Sequence, residues 1–269
     1  MNDSTLGQYY PGESVLHRLD PRTKFIGTII FLITLFIKKD GYGYFFAVLY
    51  LMVVIMCAKI PIKVLLRGLK PILFLLTATF IFQTLTSQGG EVLLQLWIFK
   101  ITYKGIYKGA TMSLRLLLMV LGAAMLSYTT TPNAISDGLE RLLQPLTKIK
   151  IPVHEFAFMT LIAIKFIPIL MEESDKIMKA QMARGIEFDE GTLIQKGKNL
   201  IPILVPIFIS TFHRANELGE AMDSRCYRGG EHRTTMNPLN YKGIDWLSYS
   251  IFFCYFVISC LISIRMMFF

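Results

Sequence analysis

Five apolar runs constrain this 269-residue chain more than any other feature. They are KFIGTIIFLITLFIKK (24–39), GYGYFFAVLYLMVVIMCA (41–58), PILFLLTATFIFQTLT (71–86), TMSLRLLLMVLGAAMLSY (111–128) and DWLSYSIFFCYFVISCLISIRMMFF (245–269). With flanks counted, each reaches the roughly 17 to 25 residues that carry a helix across a bilayer. Hydrocarbon offers no partner to a backbone N–H or C=O, so such runs cross as helices. Charged residues are 17% of the chain, below the roughly 25% of a soluble domain. The expected fold is an all-α polytopic membrane protein with about five transmembrane helices. LLQLWIF (93–99) is too short to span and is placed in a loop or at the interface, with Trp97 as an anchor. The polar start, MNDSTLGQYYPGESVLHRLDPR, does not read as a cleavable signal peptide.

The net charge of +9 sits in the loops, not in one polar domain. Lys38, Lys39, Lys59, Lys63, Arg67, Lys70, Lys100, Lys104 and Lys108 flank the apolar runs, where lipid headgroups favour them. No basic stripe interleaved with stacking aromatics exists, so nucleic acid is not an expected partner. Cys57, Cys226, Cys254 and Cys260 form no CxxC pair and imply neither a disulfide framework nor a zinc site.

Residues 131–243 differ in kind, with positive and negative charge nearly balanced. This divides the chain into an N-terminal segment (1–24), a four-helix membrane domain (25–130), the polar region (131–243) and a last span (244–269). Thr131 before Pro132, or Ser136 before Asp137, opens a helix. Two long helical patterns follow, each apolar at its start and polar at its end. Their apolar parts, 156–170 and 200–212, contain Pro168 and Pro202 with Pro206. Runs of that length are more often interfacial or buried than spanning, so these helices are expected to lie along the membrane face.

Both helical patterns close on an arginine. Ala180 precedes Arg184 by four positions as Ala221 precedes Arg225, and small residues follow, Gly185 and Cys226. An arginine there can simply complement the helix dipole. Two alike suggest docking plugs instead: small neighbours let a helix end enter a groove, and a guanidinium grips a carboxylate bidentately. Two equivalent plugs then call for a two-fold or pseudo-two-fold partner.

Enzyme signatures are missing from the sequence. GTLIQKGKN (191–199) has one residue too many for a phosphate loop and Asn199 where Ser or Thr should hold magnesium. His17, His154, His213 and His232 make no metal spacing. No Asp or Glu stands between Asp40 and Glu91 or between Glu91 and Asp137, which argues against ion-coupled transport by the first four spans. Arg115, near one end of its run, is expected to snorkel to the interface. GIYKG (105–109) reads as a turn. In HRLDPRTK (17–24), Asp20-Pro21 starts a helix, and His17, Arg18, Arg22 and Lys24 are expected to meet lipid phosphates.

The chain resembles the transmembrane T component of energy-coupling factor (ECF) vitamin transporters. SVLHRLDPRTK (14–24) is similar to that family's N-terminal signature. Ala183-Arg184-Gly185 matches its first Ala-Arg-Gly motif, and Ser224-Arg225-Cys226 matches the second with Ser for Ala and Cys for Gly. The resemblance implies a non-catalytic scaffold in a prokaryotic cell membrane with cytoplasmic amphipathic coupling helices. It implies two ABC-type ATPase partners, a heterodimer, one on each motif. ATP and Mg²⁺ belong to those partners, and this chain binds no cofactor. It also implies a substrate-binding S component, for which 156–170 and 200–212 offer an apolar surface; packing on the chain's own spans is the alternative. Two other readings stay open: a T component dedicated to a cobalt or nickel S component, and a membrane enzyme holding lipid phosphate through Arg184 and Arg225, with Asp223, His213 or Glu187 available as nucleophile or base.

Overall fold

The computed structural model describes residues 9–37, 41–87, 92–96, 99–186, 188, 192–229 and 239–268. Lys38, Lys39, Trp97, Glu187, Gly191 and His232 lie outside them. The elements in chain order are α1 (Val15–Arg18), α2 (Pro21–Ile37), α3 (Gly41–Ala58), α4 (Ile62–Thr86), β1 (Val92–Leu96), β2 (Phe99–Thr102), α5 (Tyr103–Thr129), α6 (Pro132–Leu143), the 3₁₀ turn η1 (Gln144–Ile149), α7 (Val153–Ala183), α8 (Leu193–Ser224) and α9 (Gly243–Phe268). The fold is all-α apart from the short antiparallel hairpin β1–β2, which pairs Val92 with Thr102 and Leu96 with Phe99. Two compact units form: 1–138 with 238–269, and 139–237.

Among the described residues four helices are long and apolar enough to cross a membrane: α4, α5, α7, and α9 over Gly243–Ile262. The runs at 71–86 and 111–128, and residues 245–262 of the last run, therefore lie in such helices. Gly43–Ala58 of α3 is a shorter apolar stretch, and α2 has 17 residues. By length and composition α7 qualifies too, although its apolar run looked short in the sequence. Pro168 does not interrupt it, and the helix continues for 31 residues.

The first unit is organised around α5, which packs on α2, α3 and α4. Its core joins Phe31 and Leu35 of α2, Tyr44 and Leu51 of α3, and Leu118, Met125 and Tyr128 of α5. Glycine sets how closely these helices approach. A Cβ on Gly122 would stand 2.6 Å from the Phe31 ring, and one on Gly105 would stand 2.7 Å from the Thr84 carbonyl oxygen. GIYKG is thus not a turn. It lies in the first turns of α5, and Gly105 and Gly109, four apart, share one face against the last turns of α4. Such small-xxx-small faces let membrane helices approach closely. Lys104 and Lys108 are exposed beside that face.

Arg115 has a partner on another helix: its Nε donates to the hydroxyl of buried Tyr44 at 2.6 Å. One further expectation is corrected: Arg22 and Lys24 do not reach for lipid. Asp20 caps α2, accepting from the Arg22 backbone N–H at 2.9 Å, with Pro21 at the first helical position. The Arg22 guanidinium folds back on the Asp20 carboxylate at 3.0 Å, donates to the Leu239 carbonyl at 2.9 Å and lies 4.1 Å from the Tyr241 ring centre. Lys24, buried, donates to the Thr129 carbonyl at 2.8 Å. Asp245, 1% exposed, accepts from the backbone N–H groups of Asp20 and Lys242 at 2.9 and 2.8 Å. The HRLDPRTK segment is a latch that joins the start of α2 to the end of α5 and the start of α9. Arg18 alone of its cations faces outward, 3.9 Å from exposed Glu13.

Candidate functional site

In the second unit α7 and α8 run antiparallel. Their cross-contacts descend one helix as they climb the other: Gln181 to Pro202, Glu173 to Arg214, and Phe158 to Tyr227 just beyond α8. Proline chemistry explains the first contact. Pro206 has no N–H, so the Pro202 carbonyl loses its helical partner four residues on. The Gln181 side-chain amide donates to that carbonyl at 3.4 Å. The second contact is an ion pair at 3.5 Å between half-buried groups. At the third, the Phe158 and Tyr227 rings stack at 5.2 Å, and His154, 6.5 Å from Phe158, is paired with Glu140 of α6 at 2.8 Å.

Arg184 and Arg225 occupy equivalent positions in equivalent helix ends. Arg184 is the C-cap of α7, with φ −86° and ψ 3°. Gly185 then turns left-handed at φ +89°. Its N–H donates to the Met182 carbonyl at 2.9 Å, and the Ile186 N–H donates to the Gln181 carbonyl at 3.2 Å. Arg225 is the C-cap of α8, with φ −93° and ψ 11°. Cys226 turns left-handed at φ 57°; its N–H donates to the Asp223 carbonyl at 2.9 Å and that of Tyr227 to the Met222 carbonyl at 3.1 Å. Both are Schellman ends, in which a left-handed residue reverses the chain and satisfies the last carbonyls. This is why Gly185 follows Arg184: the residue there needs a positive φ. The sequence reading assigned its small size to entry into a groove, and the backbone supplies a second reason.

All six residues of the two motifs, Ala183, Arg184, Gly185, Ser224, Arg225 and Cys226, are exposed. Among the described residues neither guanidinium has an ion-pair partner. The backbone already satisfies the terminal carbonyls, so both side chains project with their donors available. The structure does not bring the motifs together. Arg184 ends α7 near the level of Pro202, and Arg225 lies about 35 Å further along α8 at a rise of 1.5 Å per residue. One phosphate cannot bridge that distance, so the two arginines cannot grip a lipid headgroup jointly. His213 stands about two-thirds of the way along α8, in an open groove of about 580 Å³ with Pro206, Ile209, Ser210, Arg214 and Glu217.

The exposed apolar side chains of α8 form a stripe at helical spacing: Ile201, Leu204, Val205, Phe208, Ile209 and Phe212, each about half or more exposed. Phe156 and Met159 of α7 are 60% exposed. An apolar surface of this extent on a helix pair marks a contact with lipid or protein.

The left-handed Cys226 carries a testable cost. A residue with a Cβ loses about 1 to 2 kcal/mol in this conformation, and glycine does not. Cys226→Gly is therefore expected to stabilise the end of α8 by about 1 kcal/mol, and Gly185→Ala to destabilise the end of α7 by a similar amount. Amide hydrogen exchange at Met222–Tyr227 and Gln181–Ile186 reads both: slower in the first variant, faster in the second.

These features define a helical membrane protein with an antiparallel helix pair whose two ends are built alike. The comparisons agree. Residues 12–236 match the family model CbiQ, described as cobalt transport protein. A protein of Thermosediminibacter oceani called energy-coupling factor transporter transmembrane protein EcfT is 46% identical over 91% of this chain and 92% of its own length. Proteins of the same name from Clostridium kluyveri and Bacillus subtilis are 44% and 43% identical, covering 97% and 91% of this chain. The chain belongs to this family of energy-coupling factor transporter transmembrane components. It is a membrane-embedded transport subunit, and the family name places it in a complex with other subunits.

Proposed function

We propose that this chain couples two ABC-type ATPase subunits to a substrate-binding S component. The observation that carries the reading is the pair of matched helix ends. Arg184 and Arg225 leave equivalent Schellman turns with exposed guanidiniums, at opposite ends of one antiparallel helix pair. Each end fits one ATPase subunit, with Ala183 and Gly185, or Ser224 and Cys226, leaving room for a groove around the arginine. The separation of about 35 Å suits two sockets on two subunits better than one site. ATP and Mg²⁺ are held by those partners, and this chain supplies no catalytic group. When the ATPases close on ATP, the two ends are displaced relative to each other and α7 and α8 slide or splay. Their exposed apolar faces transmit that motion to the S component, which gives up its vitamin on the cytoplasmic side. In this reading 131–243 faces the cytoplasm of a prokaryotic cell.

The test is reconstitution. Proteoliposomes holding this chain, the ATPase pair and a vitamin-specific S component are expected to accumulate the vitamin with ATP. Those lacking this chain should hydrolyse ATP without accumulation. Accumulation that does not depend on this chain would overturn the proposal. The family description, cobalt transport protein, favours one second reading in which the S component captures a divalent metal ion. Replacing the vitamin S component by a cobalt- or nickel-specific one in the same vesicles separates the two.

A further inference from the structure

We propose that the turn between α6 and α7 is a lipid anchor: Ile149 and Ile151 enter the headgroup–acyl boundary while Lys148 and Lys150 bind the phosphates of an anionic leaflet. The sequence there is TKIKIP, residues 147–152. Isoleucine and lysine alternate, and no Asp or Glu stands between Glu140 and Glu155. Ile149 is 74% exposed and Ile151 is 40% exposed. Lys148 and Lys150 are exposed beside them.

A single exposed isoleucine would mean little. This one sits at the tip of a rigid, projecting turn. Pro145 opens η1, and the Lys150 N–H closes it on the Thr147 carbonyl at 2.9 Å. Lys150 itself is left-handed at φ 64°, and the Val153 N–H bonds the Ile151 carbonyl at 2.8 Å. Pro152 then fixes φ just before α7. The chain is thus held in a reversal that pushes two branched apolar side chains outward, at a conformational cost for Lys150. Leu139 and Leu143 of α6 are exposed as well and extend the apolar character toward the turn.

The charge pattern selects the occupant. Basic residues flanking exposed apolar ones, with no nearby carboxylate among 141–154, match the boundary of an anionic bilayer, where acyl chains and phosphates lie a few ångströms apart. An apolar groove of a protein partner would take the isoleucines, but it would leave two lysines to be desolvated. The chain is already a membrane protein, so the leaflet needs no recruitment. The inference is independent of ATPase docking.

The test uses the full chain in lipid nanodiscs without ATPases. Ile149→Trp is compared with the parent chain, whose Trp97 and Trp246 give the background to subtract. In phosphatidylcholine with phosphatidylglycerol, the added indole is expected to emit at shorter wavelength than in water. Bromines near the headgroups should quench it more than bromines near the chain ends. Adding Lys148→Gln and Lys150→Gln should weaken its partition into the boundary by about thirtyfold, the worth of two surface cations. An added indole that emits as in water, is quenched by aqueous acrylamide and ignores brominated lipid would overturn the anchor. Quenching indifferent to phosphatidylglycerol and to the lysines would overturn the phosphate contact. Ile151→Trp repeats the reading from the other side of Lys150.

Discussion

Arg184→Glu together with Arg225→Glu is expected to strip both ATPase subunits from the purified complex while leaving the membrane subunit folded. Each arginine is exposed at a helix end whose carbonyls are already satisfied by the backbone, so reversal removes nothing the fold requires beyond a dipole contribution of about 0.3 to 1 kcal/mol. In a socket the loss is far larger. A desolvated arginine anchor is worth about 2 kcal/mol or more, roughly thirtyfold in affinity, and a glutamate facing the socket's carboxylates adds repulsion. Each single variant is expected to retain part of its ATPase through the other end. The double variant loses that shared gain as well, because two linked contacts bind far more tightly than either alone. Quantifying ATPase per membrane subunit after affinity purification measures this, with thermal unfolding of the membrane subunit as the control. If the arginines are only helix caps, retention is unchanged and melting shifts slightly.

The second large effect is on stability and arises far from those ends. Asp245→Ala is expected to destabilise the first unit by about 3 to 5 kcal/mol, as does removal of one partner from other buried charged networks. The carboxylate is 1% exposed and accepts the N–H groups of Asp20 and Lys242. Without it both donors lose their partner, and buried Lys24 keeps the Thr129 carbonyl but loses a nearby negative charge. Asp245→Asn retains an acceptor oxygen and is expected to cost clearly less. Thermal unfolding in nanodiscs ranks the variants: wild type, then Asn, then Ala. Equal melting of all three would show that the latch does not hold the start of α2 to α9.

Local signals in the sequence were read correctly where the physics is local. Asp20-Pro21 starts α2, and of the two starts open for α6 it is Thr131-Pro132 that forms, Ser136 lying inside the helix: the capping side chain and the proline act within one turn, and the Thr131 hydroxyl accepts the Ala134 N–H at 3.3 Å. The apolar runs became helices because hydrocarbon leaves no alternative. The arginine motifs were legible as helix ends, since both close long periodic segments on a small residue. What escaped depends on distant partners. The Arg115 bond to Tyr44 was not legible because its partner stands 71 positions away. Arg22 and Lys24 looked like headgroup contacts because the Leu239 and Thr129 carbonyls belong to other elements. GIYKG looked like a turn because its lysines hid a glycine face that appears only when α4 lies against it. The run at 93–99 was placed in a loop or at the interface, whereas Val92–Leu96 and Phe99–Thr102 pair as strands, because an apolar run of that length has no period long enough to distinguish strand from loop. The antiparallel pairing of α7 and α8, which sets the motifs far apart, rests on side-chain contacts such as Gln181 with Pro202.

In the proposed coupling the two helix ends engage different ATPase subunits. A photoreactive amino acid placed at Ala183 in one sample and at Ser224 in another, within the assembled complex, tests it directly. Each position is expected to crosslink to one ATPase subunit, and the two positions to mark different subunits or different copies. Crosslinks from both positions to lipid or to the S component, with the ATPases unmarked, would contradict it.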